Sequence, residues 1–391
     1  MDTAKLRLVL VHDWLTGMRG GEKCLEVLCR SWPKAPLYTI LHKRGSVSPE
    51  IENRSITASL LSKLPAVDRY YRYLLPAMPL AAANWRLPRC DLVVSFSHCV
   101  AKAARAPEGV PHVCYCFTPM RYAWHQRRAY FGHERLGRWK SSAVHRLLKM
   151  LREWDRRTSE RVTHFVAISR TVQERIRECY GRASAVIYPP VDTDFYSPGN
   201  RPREDYYLVV SAFAPYKRLD LAVAACNQLR RKLVIIGRGQ DERRLRGLAG
   251  PGVHFLGWQP DEIIRKHLRA SRALLFPGEE DFGIVPVEAM ACGTPVIAFG
   301  RGGATETVVP LDHNSRSQAI ATEPTGVWFE EQSAECLADA IQTFERRAGE
   351  LVPEAARRQA QRFSRRRFEE EFIGYLDRVL SSERAESRRA A

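Results

Sequence analysis

Residues 276–299 read FPGEEDFGIVPVEAMACGTPVIAF, and their pattern predicts the architecture of the chain. An apolar run ends at Phe276, a Pro-Gly turn follows, and three acidic residues precede an apolar stretch with helical spacing. Gly293 ends this predicted helix, and residues 295–299 form a short apolar run that is typical of a buried strand. A strand, a loop, a helix and a second strand in this order form the repeating unit of a parallel α/β sheet.

Two glutamates flank the predicted start of this helix. Glu280 lies in the loop, and Glu288 lies eight residues later in the helix. Between them, the amides of Phe282, Gly283 and Ile284 begin the helix, and such amides bind anions because they have no acceptor within the helix. A carboxylate on each side of these amides suits a ligand with both hydroxyls and phosphates, such as a sugar nucleotide. Alternatively, the glutamates are acids favoured near a helix start by its dipole.

The stretch resembles the donor-site signature of GT-B glycosyltransferases of family 4, E-x-F-G-I-x-x-x-E-A-M-A-C-G-T-P-V-I-A. This resemblance implies an α/β fold with two Rossmann-like domains that face a central cleft, and a C-terminal helix that crosses back to the first domain. It also implies transfer of a hexose from a nucleoside diphosphate sugar with retained anomeric configuration. In that family pattern, Glu288 holds the ribose hydroxyls and Glu280 contacts the transferred sugar.

The chain has 391 residues, which is long for one domain, so two domains are expected. Residues 1–195 are predicted to form a Rossmann-like acceptor-side domain, and residues 196–364 a Rossmann-like domain that binds the nucleotide sugar. Residues 365–382 are predicted to form the helix that returns to the first domain, and residues 383–391 a disordered tail. The sequence contains no run of eighteen apolar residues, so no membrane-spanning helix is predicted.

The composition indicates the cellular compartment of the protein and the charge of its partners. Ten cysteines without zinc-site spacing predict buried free thiols in a reducing cytoplasm. A formal net charge of +17 favours an anionic partner, such as nucleic acid, anionic lipid or a phosphorylated substrate. Nucleic acid is disfavoured because the sequence has no zinc-finger, RNA-binding aromatic or helix-turn-helix pattern.

Two segments are candidates for contact with an anionic membrane surface, which would make the protein peripheral on the inner face of the cytoplasmic membrane. Residues 144–156 alternate apolar and basic residues at helical spacing, as in an interfacial helix, or as in an ordinary helix with its apolar face on the core. Residues 45–90 are predicted to be irregular, helix-rich and aromatic. Their aromatic residues could line an acceptor site, touch a membrane or pack in the core: Tyr70, Tyr71, Tyr73 and Trp85.

Polar residues follow three predicted strands of the first domain. Gly20 and Gly21 come after the strand 6–12 and begin a helix, so they form either a tight turn or a phosphate site, and the resemblance implies contact with the donor diphosphate or the acceptor. His98 ends the strand 91–98, at the strand terminus where open α/β sheets bind ligands.

The strand 112–117 leads into the run TPMRYAW. This run resembles a subgroup of family 4 that is associated with bacterial surface polysaccharides and includes mannosyltransferases. The subgroup usually has a histidine immediately before Thr-Pro, where this chain has Phe117. The candidate acceptor-side residues are His98, Arg121, Tyr122 and His125.

Lys217 and Arg218 follow the predicted strand 206–213 of the second domain. Two adjacent cations between a strand and a helix can neutralise a diphosphate leaving group, or they simply form a surface turn. The resemblance implies that Lys217 contacts the donor phosphates, although Ala212 occupies a position where many family members have an arginine. Residues 192–194 spell Asp-Thr-Asp, a pattern that elsewhere holds a metal, but they match the family's interdomain linker. Neither a metal nor another cofactor is therefore expected, and the nucleotide sugar is a substrate.

The resemblance implies a mannosyltransferase that uses GDP-mannose as donor. The expected acceptor is a glycan or a polyprenyl-diphosphate-linked molecule in cell-surface polysaccharide biosynthesis. The alternatives are a transferase that uses a UDP-sugar, a GT-B epimerase, and a basic nucleic-acid- or membrane-binding protein that keeps an inactive transferase fold. Phe117 and Ala212 favour the last alternative.

Overall fold

The computed structural model describes residues 6–121, 123–124, 138–200, 202–312 and 323–390. The chain divides into two compact units. One unit consists of residues 1–190 and 368–391, and the other consists of residues 191–367.

The first unit is built on a seven-stranded sheet with the order β3-β2-β1-β4-β5-β6-β7, in which every neighbouring pair is parallel. The central strands are mostly apolar and are buried along their whole length, as is typical of a parallel sheet with helices on both faces. Its strands are β1 (Leu8–Leu15), β2 (Leu37–His42), β3 (Ile56–Ala58), β4 (Leu92–Ser97), β5 (His112–Cys116), β6 (His164–Ala167) and β7 (Ser184–Val186).

The helices of the first unit lie between these strands. They are α1 (Gly20–Ser31), α2 (Pro49–Glu52), α3 (Val67–Tyr70), α4 (Met78–Ala83), α5 (Arg138–Ser159) and α6 (Arg170–Tyr180), with 3₁₀ turns at Leu60–Lys63, Tyr71–Ala77 and Ala101–Ala103. The segment predicted to be irregular, residues 45–90, does consist of short helices, but it also contains the strand β3.

The second unit is built on a six-stranded parallel sheet with the order β10-β9-β8-β11-β12-β13. Its strands are β8 (Tyr207–Val210), β9 (Leu233–Ile236), β10 (Val253–Gly257), β11 (Leu274–Phe276), β12 (Val296–Phe299) and β13 (Gly326–Phe329). Its helices are α7 (Leu219–Leu229), α8 (Glu242–Leu248), α9 (Asp261–Ala270), α10 (Ile284–Ala291), α11 (Ala304–Thr307), α12 (Ala334–Arg347) and α13 (Pro353–Gln361), with 3₁₀ turns at Pro215–Lys217 and Ala348–Glu350.

Both sheets reverse their strand order at one place. In the first sheet the chain goes from β1 outward to β3 and then resumes on the other side with β4. In the second sheet β8 and β11 have the same relationship. The two strands at such a switch point lead their connecting loops away in opposite directions, which opens a crevice at their carboxyl ends where ligands bind. A ligand site is therefore expected at the loops after β1, β4, β8 and β11.

The last helix, α14 (Arg365–Ala390), begins in the second unit and continues into the first. Arg365 Nη1 lies 2.9 Å from Asp192 Oδ2 in the second unit. Further along, the rings of Phe368 and Phe372 pack against Tyr115 of β5, with centroid distances of 5.6 and 5.4 Å. The chain thus returns to the first unit at Phe368. The helix continues to Ala390. Residues 383–390 are therefore helical, whereas a disordered tail is predicted for residues 383–391.

The basic amphipathic segment 144–156 lies in α5. Leu148 and Leu151 are 2% and 4% exposed and belong to the core of the first unit, and Val144, Leu147 and Trp154 pack against that core. The apolar face of α5 is therefore covered by protein, as in the ordinary-helix alternative. Among the described residues, no helix combines the length and apolar character needed to cross a bilayer.

Candidate functional site

Lys217 and Glu280 meet at the switch point of the second sheet. Lys217 follows β8 at the end of a 3₁₀ turn, and Glu280 lies in the loop after β11. The Lys217 ammonium forms an ion pair with the Glu280 carboxylate, and their side chains are 14% and 20% exposed. The loop passes close to the lysine at Gly278, where an added Cβ would lie 2.9 Å from Lys217 Cα. The close approach of the two backbones thus places the two side chains together, and both remain partly exposed to solvent.

Arg218 takes a different direction from its neighbour. Its backbone has a left-handed conformation, with φ of 52°. Its guanidinium donates to the Asp220 carboxylate, with 3.3 Å from Nε to Oδ1. Arg244 lies 3.8 Å from the same carboxylate. The structure therefore groups Arg218 with Asp220 and Arg244, and it groups Lys217 with Glu280.

The helix start between the two glutamates contains two backbone amides without an acceptor among the described residues. Gly283 caps α10 with φ of 85°, a conformation that favours glycine. No described residue accepts a hydrogen bond from the amide of Gly283 or Ile284. Phe282 is 2% exposed, and its ring packs 5.5 Å from that of Phe363. Of the three residues predicted to bind the donor through helix-start amides, Phe282 has a buried ring that packs in the protein, so its backbone is the part placed for a ligand.

Backbone contacts fix the loop that carries Glu280. The Gly303 amide donates to the Glu280 carbonyl over 2.8 Å, and Gly302 pairs with Glu280 in an isolated parallel bridge. A Cβ on Gly303 would collide with Phe282 Cα, so this approach requires glycine. Glu288, in contrast, is buried within α10, where its negative charge adds to the effect of burial in raising the pKa of Tyr196. The two glutamates thus occupy different environments, one partly exposed and one buried.

Asp13 and His98 occupy the corresponding place in the first unit, at the carboxyl ends of β1 and β4. Asp13 is completely buried, and its carboxylate accepts four backbone hydrogen bonds of 2.6–2.9 Å from residues 98–101. Oδ2 also lies 3.0 Å from His98 Nδ1. Burial opposes ionisation, but the His98 charge and hydrogen bonds outweigh it and hold the Asp13 pKa at about 2. Asp13 is therefore ionised at neutral pH.

His98 presents its second ring nitrogen away from Asp13. Its side chain is 30% exposed, and its ring stands edge-on to Trp14 with a centroid distance of 4.4 Å. In the neutral tautomer whose Nδ1–H donates to this carboxylate, Nε2 is a hydrogen-bond acceptor. The predicted site residue His98 thus gains a partner that was not predicted, although an acid directly after a buried strand is a recognisable signal.

His12, Gly21 and Phe117 pack beside this pair. The ring of Phe117 lies 6.4 Å from that of His12 and 6.2 Å from that of His98, between centroids. His12 Nδ1 bonds to the Trp14 carbonyl over 3.0 Å, while its buried Nε2 has no hydrogen-bond partner among the described residues. Burial lowers the pKa of His12, so its ring is neutral at neutral pH. His12 is a second residue of this cluster that was not predicted.

The glycine pair begins α1 directly beneath these rings. An added Cβ on Gly21 would lie 3.2 Å from the Phe117 ring and 3.3 Å from His12 Nε2. Gly20 is the first residue of the helix, and Glu22 accepts a hydrogen bond from the Arg19 amide over 3.1 Å. The predicted glycines thus lie at a helix N-terminus close to His12 and Phe117.

The remaining predicted acceptor-side residues follow β5. Arg121 lies partly buried in the turn after Met120. Tyr122 and His125 lie outside the described residues. Asp192, in the Asp-Thr-Asp run, accepts a hydrogen bond from the Phe195 amide over 3.1 Å and pairs with Arg365. That carboxylate therefore serves a turn and an ion pair.

Two protein families match consecutive parts of the chain. Residues 18–195 match Glycosyltransferase Family 4, and residues 190–363 match Glycosyl transferases group 1. The second match contains Lys217, Glu280 and Glu288, and the first contains His98.

Curated relatives are similar over parts of their length. The D-inositol 3-phosphate glycosyltransferase of Mycobacteroides abscessus is 31% identical over 52% of this chain and 48% of its own length. The GDP-mannose-dependent alpha-(1-6)-phosphatidylinositol monomannoside mannosyltransferase of Mycolicibacterium smegmatis is 32% identical over 36% of this chain and 45% of its own length. The chain thus spans about half the length of these relatives.

Solved structures share the fold over almost the whole chain. Anabaena HepE in complex with UDP and glucose superposes with a TM-score of 0.68 and 16% identity, over 95% of this chain and 99% of that one. Sucrose-phosphate synthase from Thermosynechococcus elongatus has a TM-score of 0.68, 18% identity and coverage of 96% and 99%. Together with the family matches over residues 18–363, these findings show that the chain belongs to the GT-B glycosyltransferases related to family 4.

Proposed function

We propose that this glycosyltransferase moves a mannosyl group from GDP-mannose to a hydroxyl of a glycan or a polyprenyl-diphosphate-linked acceptor, in the biosynthesis of a cell-surface polysaccharide. The observation that carries the proposal is the ion pair of Lys217 and Glu280 beside the helix start at Gly283. The choice of mannose rests on the TPMRYAW run and on relatives named as GDP-mannose-dependent mannosyltransferases.

The Lys217–Glu280 pair suits a ligand that carries both anionic and hydroxyl groups. A nucleoside diphosphate sugar offers its diphosphate to Lys217 and its sugar hydroxyls to Glu280. In the complex, these contacts replace the ion pair between the two side chains. The amides of Gly283 and Ile284, which have no acceptor within the described part of the chain, add donors for phosphate oxygens. Glu288 belongs to the same helix and is proposed to hold the ribose hydroxyls.

The same groups account for the proposed chemistry. As the bond between C1 of the sugar and the diphosphate breaks, negative charge grows on the leaving oxygen. Lys217 and the helix-start amides stabilise that charge in the transition state. The acceptor oxygen bonds to C1 on the face that the diphosphate leaves, and the hydroxyl proton passes to the departing diphosphate oxygen. The anomeric configuration is therefore retained without a covalent enzyme intermediate. In this proposal no metal ion takes part.

The first unit supplies the acceptor side of the proposal. Nε2 of His98 is an acceptor for a substrate hydroxyl, because Asp13 holds the other ring nitrogen. The Asp13–His98 pair compensates for Phe117, whose ring has no polar atom. Gly20 and Gly21 leave room for the ligand at the N-terminus of α1.

Nucleotide release from three donors tests the proposal. The purified protein is incubated with GDP-mannose, UDP-glucose or UDP-N-acetylglucosamine, with and without an extract of lipid-linked acceptors. Release of GDP from GDP-mannose that increases with acceptor is expected. Release of UDP alone would replace GDP-mannose with a UDP-sugar donor, and conversion of a sugar nucleotide without any acceptor would indicate an epimerase.

An inactive basic binding protein predicts a different result. It would bind none of the three donors and would bind DNA with an affinity that falls steeply with salt. That combination would contradict the enzymatic proposal.

A further inference from the structure

Residues 56–89 of the first unit form a block with a packed inner face and an apolar outer face. On the inner face, Tyr71, Met78 and Trp85 are buried in the core. On the outer face, four large apolar side chains remain exposed to water. Their exposed fractions are 75% for Leu60, 40% for Leu64, 85% for Tyr73 and 72% for Leu80. Of these, Leu60 and Leu80 line one groove, and apolar side chains that are exposed together mark an interaction site.

The same block carries several exposed cations. The exposed basic residues of the block are Lys63, Arg69, Arg72, Arg86 and Arg89. The block contains one acidic residue, Asp68, and its carboxylate already lies 2.7 Å from Lys43 Nζ. Residues 56–89 therefore combine exposed apolar side chains with five exposed cations and a single acid, which is already paired.

A groove of about 520 Å³ opens on the same block. Leu60, Leu61 and Leu80 line the groove, together with Arg86. Trp85 also lines it, and the buried Nε1–H of this residue has no acceptor among the described residues. An apolar groove with a cation in its lining fits a hydrocarbon chain that is attached to an anionic headgroup.

We infer that the outer face of residues 56–89 docks onto the surface of an anionic phospholipid bilayer. Leu60, Tyr73 and Leu80 enter the headgroup and acyl boundary, and the exposed cations lie against the anionic headgroups. The basic helix α5 does not provide this surface, because Leu148 and Leu151 on its apolar face are buried in the core. The inference does not depend on the identity of the sugar donor, and it goes beyond the proposed function by naming the membrane-contacting surface.

Vesicle sedimentation of the full-length protein tests this inference. Vesicles of phosphatidylcholine with phosphatidylglycerol should bind the protein, and vesicles of phosphatidylcholine alone should bind it weakly. Replacement of both Leu60 and Leu80 by serine should weaken partitioning at least about tenfold, since two exposed side chains lose their burial in the bilayer. Met150→Ser is the matched control, because Met150 is 65% exposed on α5 and should not affect binding.

Three results would overturn the inference. They are equal binding to both vesicle types, unchanged binding of the Leu60→Ser, Leu80→Ser variant, and loss of binding in Met150→Ser alone. A dimer seen by analytical ultracentrifugation that the double variant abolishes, without vesicle binding by the wild type, would assign the surface to a second copy of the chain instead. Nucleotide binding measured without vesicles shows separately whether the proposed function fails. The urea unfolding midpoint shows separately whether a variant fails to fold.

Discussion

The Asp13 carboxylate and the His98 imidazole form a pair, 3.0 Å apart from Oδ2 to Nδ1, across the switch point of the first sheet. Lys217 and Glu280 form an ion pair across the switch point of the second sheet. In the first unit a residue near the carboxyl end of β1 contacts a residue after β4, and in the second unit a residue after β8 contacts a residue after β11. Since the crevice at a switch point is where α/β sheets bind ligands, the paired side chains are placed for binding in each unit.

Asp13→Asn is expected to destabilise the first unit and to lower transfer activity. The folded-state pKa of about 2 lies below the unfolded value, so ionised Asp13 contributes stability above about pH 4 that is lost as the pH falls towards 2. The shift corresponds to about 2 kcal/mol. Urea unfolding at neutral and acidic pH measures the free energy of unfolding of wild type and variant. The difference between the two free energies should become smaller as the pH falls from about 4 towards 2. A difference that does not change with pH would contradict the electrostatic explanation.

His98→Gln is expected to lower turnover by roughly 10²-fold while nucleotide binding stays unchanged, because the proposed contact of Nε2 is with the acceptor. His112→Gln is a matched control, since this buried histidine bonds to Ser95 Oγ over 2.8 Å away from the switch point. Steady-state kinetics with varied acceptor and direct nucleotide titration measure the two effects. Equal loss of turnover in both variants would show that His98 acts only through folding.

Gly21→Ala is expected to destabilise the protein by about 1–3 kcal/mol, because the new Cβ lies against the Phe117 ring and His12 Nε2. Adding Phe117→Leu should recover part of the loss, since the smaller side chain makes room for the methyl group. Gly247→Ala is the control, because nothing lies within 4 Å of its added Cβ. Denaturant unfolding measures all three variants. Equal effects of the substitutions at Gly21 and Gly247 would disprove the packing explanation.

The two glutamates of the donor site should respond differently to substitution. Glu288→Gln is expected to weaken nucleotide binding about tenfold, through the ribose contact. Glu280→Gln is expected to leave nucleotide binding nearly unchanged and to lower turnover, because Glu280 is assigned to the transferred sugar. Titration with GDP separates these effects from turnover with GDP-mannose. Small and equal effects at both positions would refute the assigned roles.

Removal of divalent metal should leave transfer unaffected. Asp192 already pairs with Arg365 and caps a turn, and the proposed chemistry assigns the diphosphate charge to Lys217 and backbone amides. Nucleotide release measured with and without EDTA checks this expectation. A loss of activity with EDTA that Mg²⁺ restores would require a metal site in the mechanism.

Much of the fold follows from local sequence patterns. The central strands of both sheets are mostly apolar, and glycines or polar residues mark their ends. The alternation of strands and helices can therefore be predicted from the sequence. No strand is predicted at Leu37–His42, although its tyrosine, threonine and isoleucine are typical strand residues. The edge strand Ile56–Ala58 has three residues and is only partly buried, which is too short for a periodic signal.

The site is predicted less completely, because its contacts join distant parts of the chain. The location of His98 follows from its strand, but its partner Asp13 lies 85 residues away. The burial of Glu288 and the turn of Arg218 towards Asp220 depend on tertiary packing, which neither spacing nor residue type reveals. The contact of His12, Phe117 and Gly21 likewise joins β1, the residue after β5 and the first turn of α1.

The central claim is that the Lys217–Glu280 pair receives the diphosphate of a sugar donor. Calorimetric titration of GDP-mannose into wild type, Lys217→Met and Arg218→Met tests it most directly. The predicted result is saturable binding by wild type, binding weakened at least about tenfold in Lys217→Met, and a smaller effect in Arg218→Met, whose side chain faces Asp220. Absence of binding by wild type for GDP-mannose, UDP-glucose and UDP-N-acetylglucosamine, or equal binding by wild type and Lys217→Met, would contradict the claim.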